Sequence, residues 1–561
     1  MSGAPLDVDV LVIGAGINGA GLFRDLCAQG LRCVIVDKAD FGSGTSAAPS
    51  RLIHGGLKYL ETGELRLVAE STLERNLLLR NAPHCVTPLP TLIPIFSWLK
   101  GIGAALRTMA GSTTAPRTRG ALLIKIGLAM YDFYGSRQRV MPRHRLVGRK
   151  RALAEMPALT PSVVAVGTYY DAKIARPERL VLELVQDGLA ASTSSAAASY
   201  ATLASSEGGL LTFARADGQL FAVRPAIVVN AAGPWIDRLN AALGAPSTLI
   251  GGTKGSHILL DHDELVRSLD GRMIYFEADD GRICLVFDYL GRALVGSTDI
   301  PADDPDTVRC EDEEIDYFLA SLRSLLPGLR FEREQIVYVY SGIRPLPASD
   351  AATPGLISRD HSAPVTEATS DRPYPIVSLV GGKWTTFRGF AEQVADTILA
   401  RLGRSRQVST QALPIGGGKG FPSTSESRAR WLADTSQVTG LPEPRLAELL
   451  ARYGTTAAAV AAHRGRWSDA DRLPDCPGYS RAEIDWIARH ERVVHLADIV
   501  MRRTTLAITG ALTPRALAAI GEVAAAALGW DTARAAREVA SVTAELTRRH
   551  RSRLQPERAA A

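Results

Sequence analysis

The sequence predicts a mixed α/β fold. A parallel sheet is gathered from separated segments, a second sheet is antiparallel, and the C-terminal region is helical. Three observations predict it. Val8 to Ile13 is apolar apart from Asp9, and Gly14, Gly16 and Gly19 follow at once. Two later apolar runs, Ala226 to Val229 and Ile376 to Val380, also end in glycine turns. From about residue 429 to about His550 the apolar spacing is helical. Short apolar runs that break at glycine turns are the pattern of parallel strands buried on both faces.

In chain order, the first run is a strand and Ala20 to Ala28 a helix, with Gly30 as its stop. Arg32 to Val36 is a second strand, ending at Asp37. The run 226–229 ends in Asn230-Ala231-Ala232-Gly233-Pro234. The run 376–380 ends in Gly381-Gly382-Lys383 and leads into a helix from Thr386. Arg272 to Asp299 reads as two or three antiparallel strands, with turns at Asp280-Gly281 and Gly291-Arg292. Gly403 to Arg428 is rich in Gly, Ser, Pro and charge, as a linker is. Thr513 is a cap followed by Pro514 at the first helical position. Leu517, Ile520, Ala524 and Leu528 then share one face, Gly529 ends that helix, and Asp531 caps the next. The expected domains are therefore a discontinuous one over residues 7–400, a linker over 401–428 and a helical one over 429–550. A substrate part is inserted in the first at roughly 85–160 and 255–340.

Composition excludes several classes. The formal net charge of +5 does not imply nucleic acid. Arg137, Arg139, Arg143, Arg145, Arg149, Lys150 and Arg151 nevertheless fall in one stretch, which is either a solvated loop or a contact for anionic headgroups. The six cysteines form no CxxC pair and no His cluster has zinc spacing, so free thiols and no metal are expected. Met1 to Asp9 lacks a basic n-region and an apolar h-region, so neither a secretory nor a transit peptide is expected. Asn81 to Leu99 has no Lys, Arg, Asp or Glu, but Pro83, Pro88, Pro90 and Pro94 exclude a spanning helix. Leu92, Ile93, Ile95, Phe96, Trp98 and Leu99 beside Lys100 suit either an interfacial anchor or a core segment.

Gly14-Ala15-Gly16-Ile17-Asn18-Gly19 fits G-x-G-x-x-G, and Asp37 lies 18 residues beyond Gly19. Glycines let the backbone approach a pyrophosphate at a helix N-terminus, and the acid accepts ribose hydroxyls. Strand, helix, second strand and terminal acid agree on a dinucleotide; the motif does not separate FAD from NAD. Lys419 in Gly416-Gly417-Gly418-Lys419-Gly420 lacks phosphate-loop spacing and reads as linker.

A further set of motifs carries a family resemblance. Gly44-Thr45-Ser46, Arg51-Leu52-Ile53-His54-Gly55-Gly56-Leu57-Lys58-Tyr59-Leu60-Glu61, Gly233-Pro234-Trp235, Lys254-Gly255-Ser256-His257, Gly296-Ser297-Thr298-Asp299, Ser341-Gly342-Ile343-Arg344-Pro345-Leu346 and Gly381-Gly382-Lys383-Trp384-Thr385-Thr386 resemble the FAD-dependent glycerol-3-phosphate dehydrogenases in order and spacing. Asp498 to Thr504 resembles their helical cap. The resemblance implies a glutathione-reductase-like FAD domain, a substrate domain and a helical C-terminal domain. It implies FAD as cofactor and oxidation of the C2 hydroxyl of glycerol 3-phosphate. It also implies quinone as acceptor and a place on the inner face of the cytoplasmic membrane; a homodimer is allowed. Two departures stand out: Lys58 replaces the family's usual Arg, and Ala47-Ala48-Pro49-Ser50-Arg51 replaces a Ser-rich run. Lys keeps the charge but loses the bidentate fork. Two other readings follow from them: a dehydrogenase of another phosphorylated polyol or of an amine, and a flavin-binding regulatory protein without turnover.

Hydride removal from C2 requires the phosphate to be held so that C2 meets flavin N5. Arg344, Lys383 and Lys58 are the cationic candidates, with Tyr59 and Thr385 as further substrate contacts. His257 is the first candidate for the base, because an imidazole titrates near neutrality, and His54 is its rival. The expected cofactor contacts are Gly14, Gly16, Gly19, Asp37, Thr45, Ser46, His54, Gly55, Gly56, Gly233, Gly342, Gly381 and Gly382. Gly381 and Gly382 are expected to open a helix aimed at flavin N1 and O2.

Overall fold

The computed structural model describes residues 4–60, 64–98, 120–136, 140–278, 280–302, 304–348, 360–552 and 554. Glu61, Leu99, Lys100, Arg137 and Arg139 lie outside the described residues.

The parallel sheet is centred on the first strand, Leu6–Ile13, which lies between Cys33–Val36 and Leu220–Asn230. Ala196–Ala198 adds to one side and Ile376–Ser378 to the other, both parallel. All four residues of Cys33–Val36 are buried, as a strand covered on both faces requires. The helix Ile17–Ala28 packs against Pro177–Ala191 and Phe387–Arg401 on one face of this sheet. The segments 6–36, 196–230 and 376–401 thus build one layer, as the separated glycine-ended runs predict.

The second sheet has ten strands. Met273–Glu277, Ile283–Tyr289 and Arg292–Gly296 form the expected antiparallel run. Ile250–Leu260 continues it and pairs along its length with Ile336–Pro347. The sheet is not purely antiparallel: Val86–Ile95 joins Met273–Glu277 in parallel through Thr91 and Leu92. Its antiparallel partner Ala165–Ile174 lies past residue 160, and Leu52–Ile53 pairs beyond it, so the sheet takes in more chain than the sequence boundaries suggest. The proline-rich segment around residue 90 is thus a sheet strand, and no helix among the described residues is long and apolar enough to cross a membrane.

The linker segment is tied down. Arg24 donates to the Leu413 and Pro414 carbonyls at 3.2 and 2.6 Å, and Asn81 to the Gln411 carbonyl at 2.9 Å. The C-terminal helices follow, and the expected caps form: Thr513 and Asp531 accept N–H bonds from Ala516 and Arg534, and Gly529 takes φ 70°. Their core is continuous with the second sheet, for Leu446, Ile487 and Leu517 cluster with Leu259, Phe287 and Tyr340. On the other side Arg503 and Arg502 clasp Asp40, at 2.7 and 2.6 Å. Against the upward pull of burial, these guanidiniums hold the Asp40 carboxyl below its usual range. All six cysteines are free and buried.

Candidate active site

The first strand delivers the chain into a loop that only glycine can follow at two points. Gly14 has φ 107°, and a Cβ there would lie 2.4 Å from the Ala231 carbonyl oxygen. A Cβ at Gly19 would lie 2.0 Å from the Gly14 carbonyl oxygen. Gly16 differs, for its nearest neighbour would be Ser46 Oγ at 3.1 Å. Ser46 Oγ accepts the Ile17 N–H at 2.9 Å, so a hydroxyl sits at the helix N-terminus. Asp37 ends the next strand and accepts N–H bonds from Ala15 at 2.7 Å and Ala39 at 3.0 Å. Burial lifts its pKa to about 6 against these two donors. Gly233, at φ 59°, begins the turn after Ala231 and Ala232, against which Gly14 packs.

A cavity of about 750 Å³ opens against the second sheet. His54, Lys58, Tyr59, His257, Arg344 and Lys383 all line it, with Thr45, Gly56, Gly342, Gly381 and Gly382. The sequence scatters these residues from Thr45 to Lys383, and the fold gathers them. Gly381 and Gly382, at φ 70° and 93°, form a turn whose carbonyl at Gly381 accepts from Asn18 Nδ2 at 3.4 Å. The two glycine turns therefore meet. The second does not open the helix: a 3₁₀ turn, Trp384–Thr386, intervenes before Phe387–Arg401.

The three cations are held differently. Arg344 donates to Asp299 Oδ1 at 3.0 Å, Ser297 Oγ at 3.1 Å and the Thr298 carbonyl at 3.0 Å. Its guanidinium lies over Gly255, where a Cβ would come within 2.2 Å of Nη2. Lys383 is buried; its Nζ donates to Ser71 Oγ at 3.0 Å and stands 3.7 Å from the Tyr59 ring centroid. Lys58 is exposed at the cavity rim.

His257 is buried, with Nε2 2.8 Å from Ser50 Oγ and its ring stacked on Tyr340 at 4.7 Å. Burial first, then Arg344 and Arg51, push its pKa well below the ordinary value, so it is neutral at physiological pH. His54 stacks on Tyr59 at 6.4 Å. Thr385, expected to touch substrate, instead sits buried behind the cavity and bonds both backbone groups of His54, at 3.2 and 3.3 Å. It supports the His54 backbone from outside the cavity.

Several partners of motif residues are not legible in the sequence. The Gly55 N–H donates to Tyr131 Oη at 2.9 Å and Asp171 Oδ1 at 3.0 Å, and Arg75 Nη1 bonds Asp171 at 3.1 Å. Arg51 takes φ 58° and donates to both oxygens of Glu178, at 2.9 and 3.0 Å. No spacing rule joins residues so far apart in the chain. His84, Cys85 and Glu183 also bring ligand-type atoms within 4.8 Å; His84 Nε2 lies 2.8 Å from Glu183, a buried ion-pair geometry.

The surface near residue 95 separates into two parts. Leu92 and Ile95 are buried in the sheet, whereas Phe96 and Trp98 are exposed. The helix Ala121–Tyr134 joins them: the Leu122 N–H reaches the Trp98 carbonyl at 3.4 Å, and Leu122, Ile126 and Phe133 are exposed. Arg143, Arg145, Arg149, Lys150 and Arg151 are exposed as well, with Arg145 and Arg151 paired to Glu155.

Comparison with known proteins adds to this geometry. A family model described as FAD dependent oxidoreductase matches residues 9–396. A second, described as the C-terminal domain of alpha-glycerophosphate oxidase, matches residues 408–535. The chain is 32% identical to a glycerol-3-phosphate dehydrogenase of Synechocystis sp., covering 93% of each chain. It is 28% identical to a D-erythritol 1-phosphate dehydrogenase of Brucella abortus, covering 89% of this chain and 94% of that one. The FAD complex of a glycerol-3-phosphate dehydrogenase from Bacillus halodurans matches with TM-score 0.74 at 23% identity, over 98% of this chain and 95% of that one. At that identity the likeness speaks for the fold.

Proposed function

The chain belongs to the family of FAD-dependent oxidoreductases, and from that membership we propose that it oxidises sn-glycerol 3-phosphate to dihydroxyacetone phosphate. The observation that carries the reading is the meeting of Arg344, Lys383, Lys58 and a neutral His257 in one cavity beside two glycine turns. Bound FAD supplies the two-electron acceptor for hydride from C2. The glycine loop and Asp37 would hold its pyrophosphate and ribose, and Gly381 and Gly382, which line the cavity, would face its ring. Arg344 and Lys383 grip the substrate phosphate, and Lys58 guides it from the rim. His257 takes the hydroxyl proton. The test is anaerobic titration of the purified protein, following bleaching of flavin absorbance. Bleaching by glycerol 3-phosphate but not by glycerol is expected, and no bleaching by any polyol phosphate would overturn the reading.

Cofactor affinity carries a pH signature. Ribose hydroxyls donate to the ionised carboxylate, which protonation near pH 6 removes. FAD affinity should therefore be flat above that pH and fall about tenfold per unit below it. Fluorescence of released FAD after equilibration across pH measures this. An Asp37→Asn variant should lose the dependence along with much of the affinity.

The electron acceptor is a quinone reached from the membrane, and the protein sits peripherally on the inner face of the cytoplasmic membrane. Exposed Phe96, Trp98, Leu122, Ile126 and Phe133, with the basic surface nearby, support that reading. The protein should co-sediment with anionic phospholipid vesicles and stay bound at high salt, since apolar burial resists screening. Burying a large apolar side chain contributes about 1.5–3 kcal/mol. The double variant Trp98→Ser/Phe133→Ser should therefore bind at least about tenfold more weakly.

A second reading, oxidation of a longer polyol phosphate, is favoured by Lys58 and by the similar D-erythritol 1-phosphate dehydrogenase. The same titration with four-carbon polyol phosphates separates the two.

A further inference from the structure

The proposed base is enclosed. His257 is only 1% exposed. Tyr340 covers one face of its ring, with the planes 12° apart. Gly296 closes the Cδ2–Nε2 edge, where a Cβ would lie 2.1 Å from Cδ2 and 2.7 Å from Nε2. Nδ1 is buried and has no hydrogen-bond partner among the described residues. The polar group standing on Nε2 is Ser50 Oγ, at 2.8 Å, and Ser50 itself is half-buried on the cavity lining.

We propose that Ser50 relays the substrate's hydroxyl proton to His257, so that the two residues act as one base. The inference rests on the reading of His257 as base. The hydride that leaves C2 carries the electron pair of the C2–H bond, for which FAD, when bound, would be the two-electron acceptor, and the C2 oxygen becomes a carbonyl. Its proton passes to Ser50 Oγ, while the Ser50 proton passes to His257 Nε2. Serine is unchanged at the end and His257 carries the positive charge.

The surroundings hold Ser50 for this. The carbonyl before it, of Pro49, accepts from Tyr340 Oη at 2.8 Å. The residue after it, Arg51, is pinned to Glu178 and to the Ala47 carbonyl, the latter at 3.0 Å. The charged groups facing His257 are Arg51 and Arg344, each with its own carboxylate, Glu178 and Asp299. A phosphate dianion gripped by Arg344 adds negative charge beside the imidazole and so favours its protonated form when substrate is present. The Ser50 hydroxyl can donate or accept at Nε2, and the relay requires the tautomer in which Nε2 accepts.

The experiment compares Ser50→Ala, Ser50→Thr and His257→Gln in the FAD-loaded protein, with ¹⁵N NMR of the His257 ring as a readout independent of turnover. Ser50→Ala should lower kcat by about a hundredfold or more, in the range of lost general-base help, with KM and FAD content nearly unchanged. Ser50→Thr should restore most of it, and His257→Gln should be at least as slow as Ser50→Ala. The wild-type Nε2 should resonate as an unprotonated, hydrogen-bonded nitrogen. A protonated Nε2, or a wild-type kcat in Ser50→Ala beside an inactive His257→Gln, overturns the relay alone. Wild-type turnover in His257→Gln overturns the base reading itself.

Discussion

Replacing Arg344 by lysine is expected to lower kcat/KM for glycerol 3-phosphate by about a hundredfold, because charge-assisted hydrogen bonds contribute about 1.5–3 kcal/mol each. The guanidinium is set before substrate arrives. Asp299, Ser297 and the Thr298 carbonyl fix it from one side, and the absent side chain of Gly255 leaves room beneath it. A planar fork can keep those contacts and still present an edge to a phosphate. One ammonium cannot do both: if it stays on Asp299 the phosphate is lost, and if it turns to the phosphate its position is no longer fixed. Both outcomes misplace C2, so kcat should fall along with affinity. The Arg344–Asp299 pair is partly exposed, at 23% and 26%, so its loss should change stability little. FAD content and Tm near the wild-type values would separate a substrate effect from damage to the fold. Wild-type kinetics on every polyol phosphate tested would refute the proposed grip.

The first strand–turn–helix–strand unit is legible in the sequence, and the reason is local. Gly14, Gly19 and Asp37 lie within one strand–turn–helix–strand unit, where spacing in the chain is spacing in space. The substrate half is built from pairs far apart in the chain. Ser50 meets His257 across 207 positions and Gly55 meets Asp171 across 116, and no period or motif announces such partners. Thr385 shows the converse error, for a motif residue beside Lys383 looked like a substrate contact. A 3₁₀ turn instead directs it to the His54 backbone. The boundary near residue 160 fell short because Ala165–Ile174 is claimed by strand pairing with Val86–Ile95, a long-range contact. The apolar helix Ala121–Tyr134 was passed over because its buried Ile124, Leu128 and Tyr131 alternate with exposed Leu122, Ile126 and Phe133, leaving no polar stripe to mark a period.

Gly16→Val is expected to give a folded, colourless protein, whereas Gly19→Val should not fold. The three loop glycines are not equivalent. A Cβ at Gly19 meets backbone at 2.0 Å, and Gly14 holds φ 107°, so a side chain at either breaks the strand–helix turn itself. Gly16 has φ −72° and ψ −176°, a conformation open to any residue, and a Cβ there approaches only Ser46 Oγ, at 3.1 Å. What glycine preserves at 16 is the space in front of the helix N-terminus, where the pyrophosphate of FAD must lie against the N–H groups. Valine fills that space with two methyls and touches little else. The right comparison is with wild-type protein stripped of FAD, because bound cofactor adds its own stabilisation. Against that reference, Gly16→Val should keep its Tm within a few degrees and its far-UV circular dichroism, while the visible absorbance of protein-bound oxidised flavin should fall to baseline even with excess FAD. A Gly16→Val protein that retained one FAD per chain would mean that the cofactor does not approach through the glycine loop.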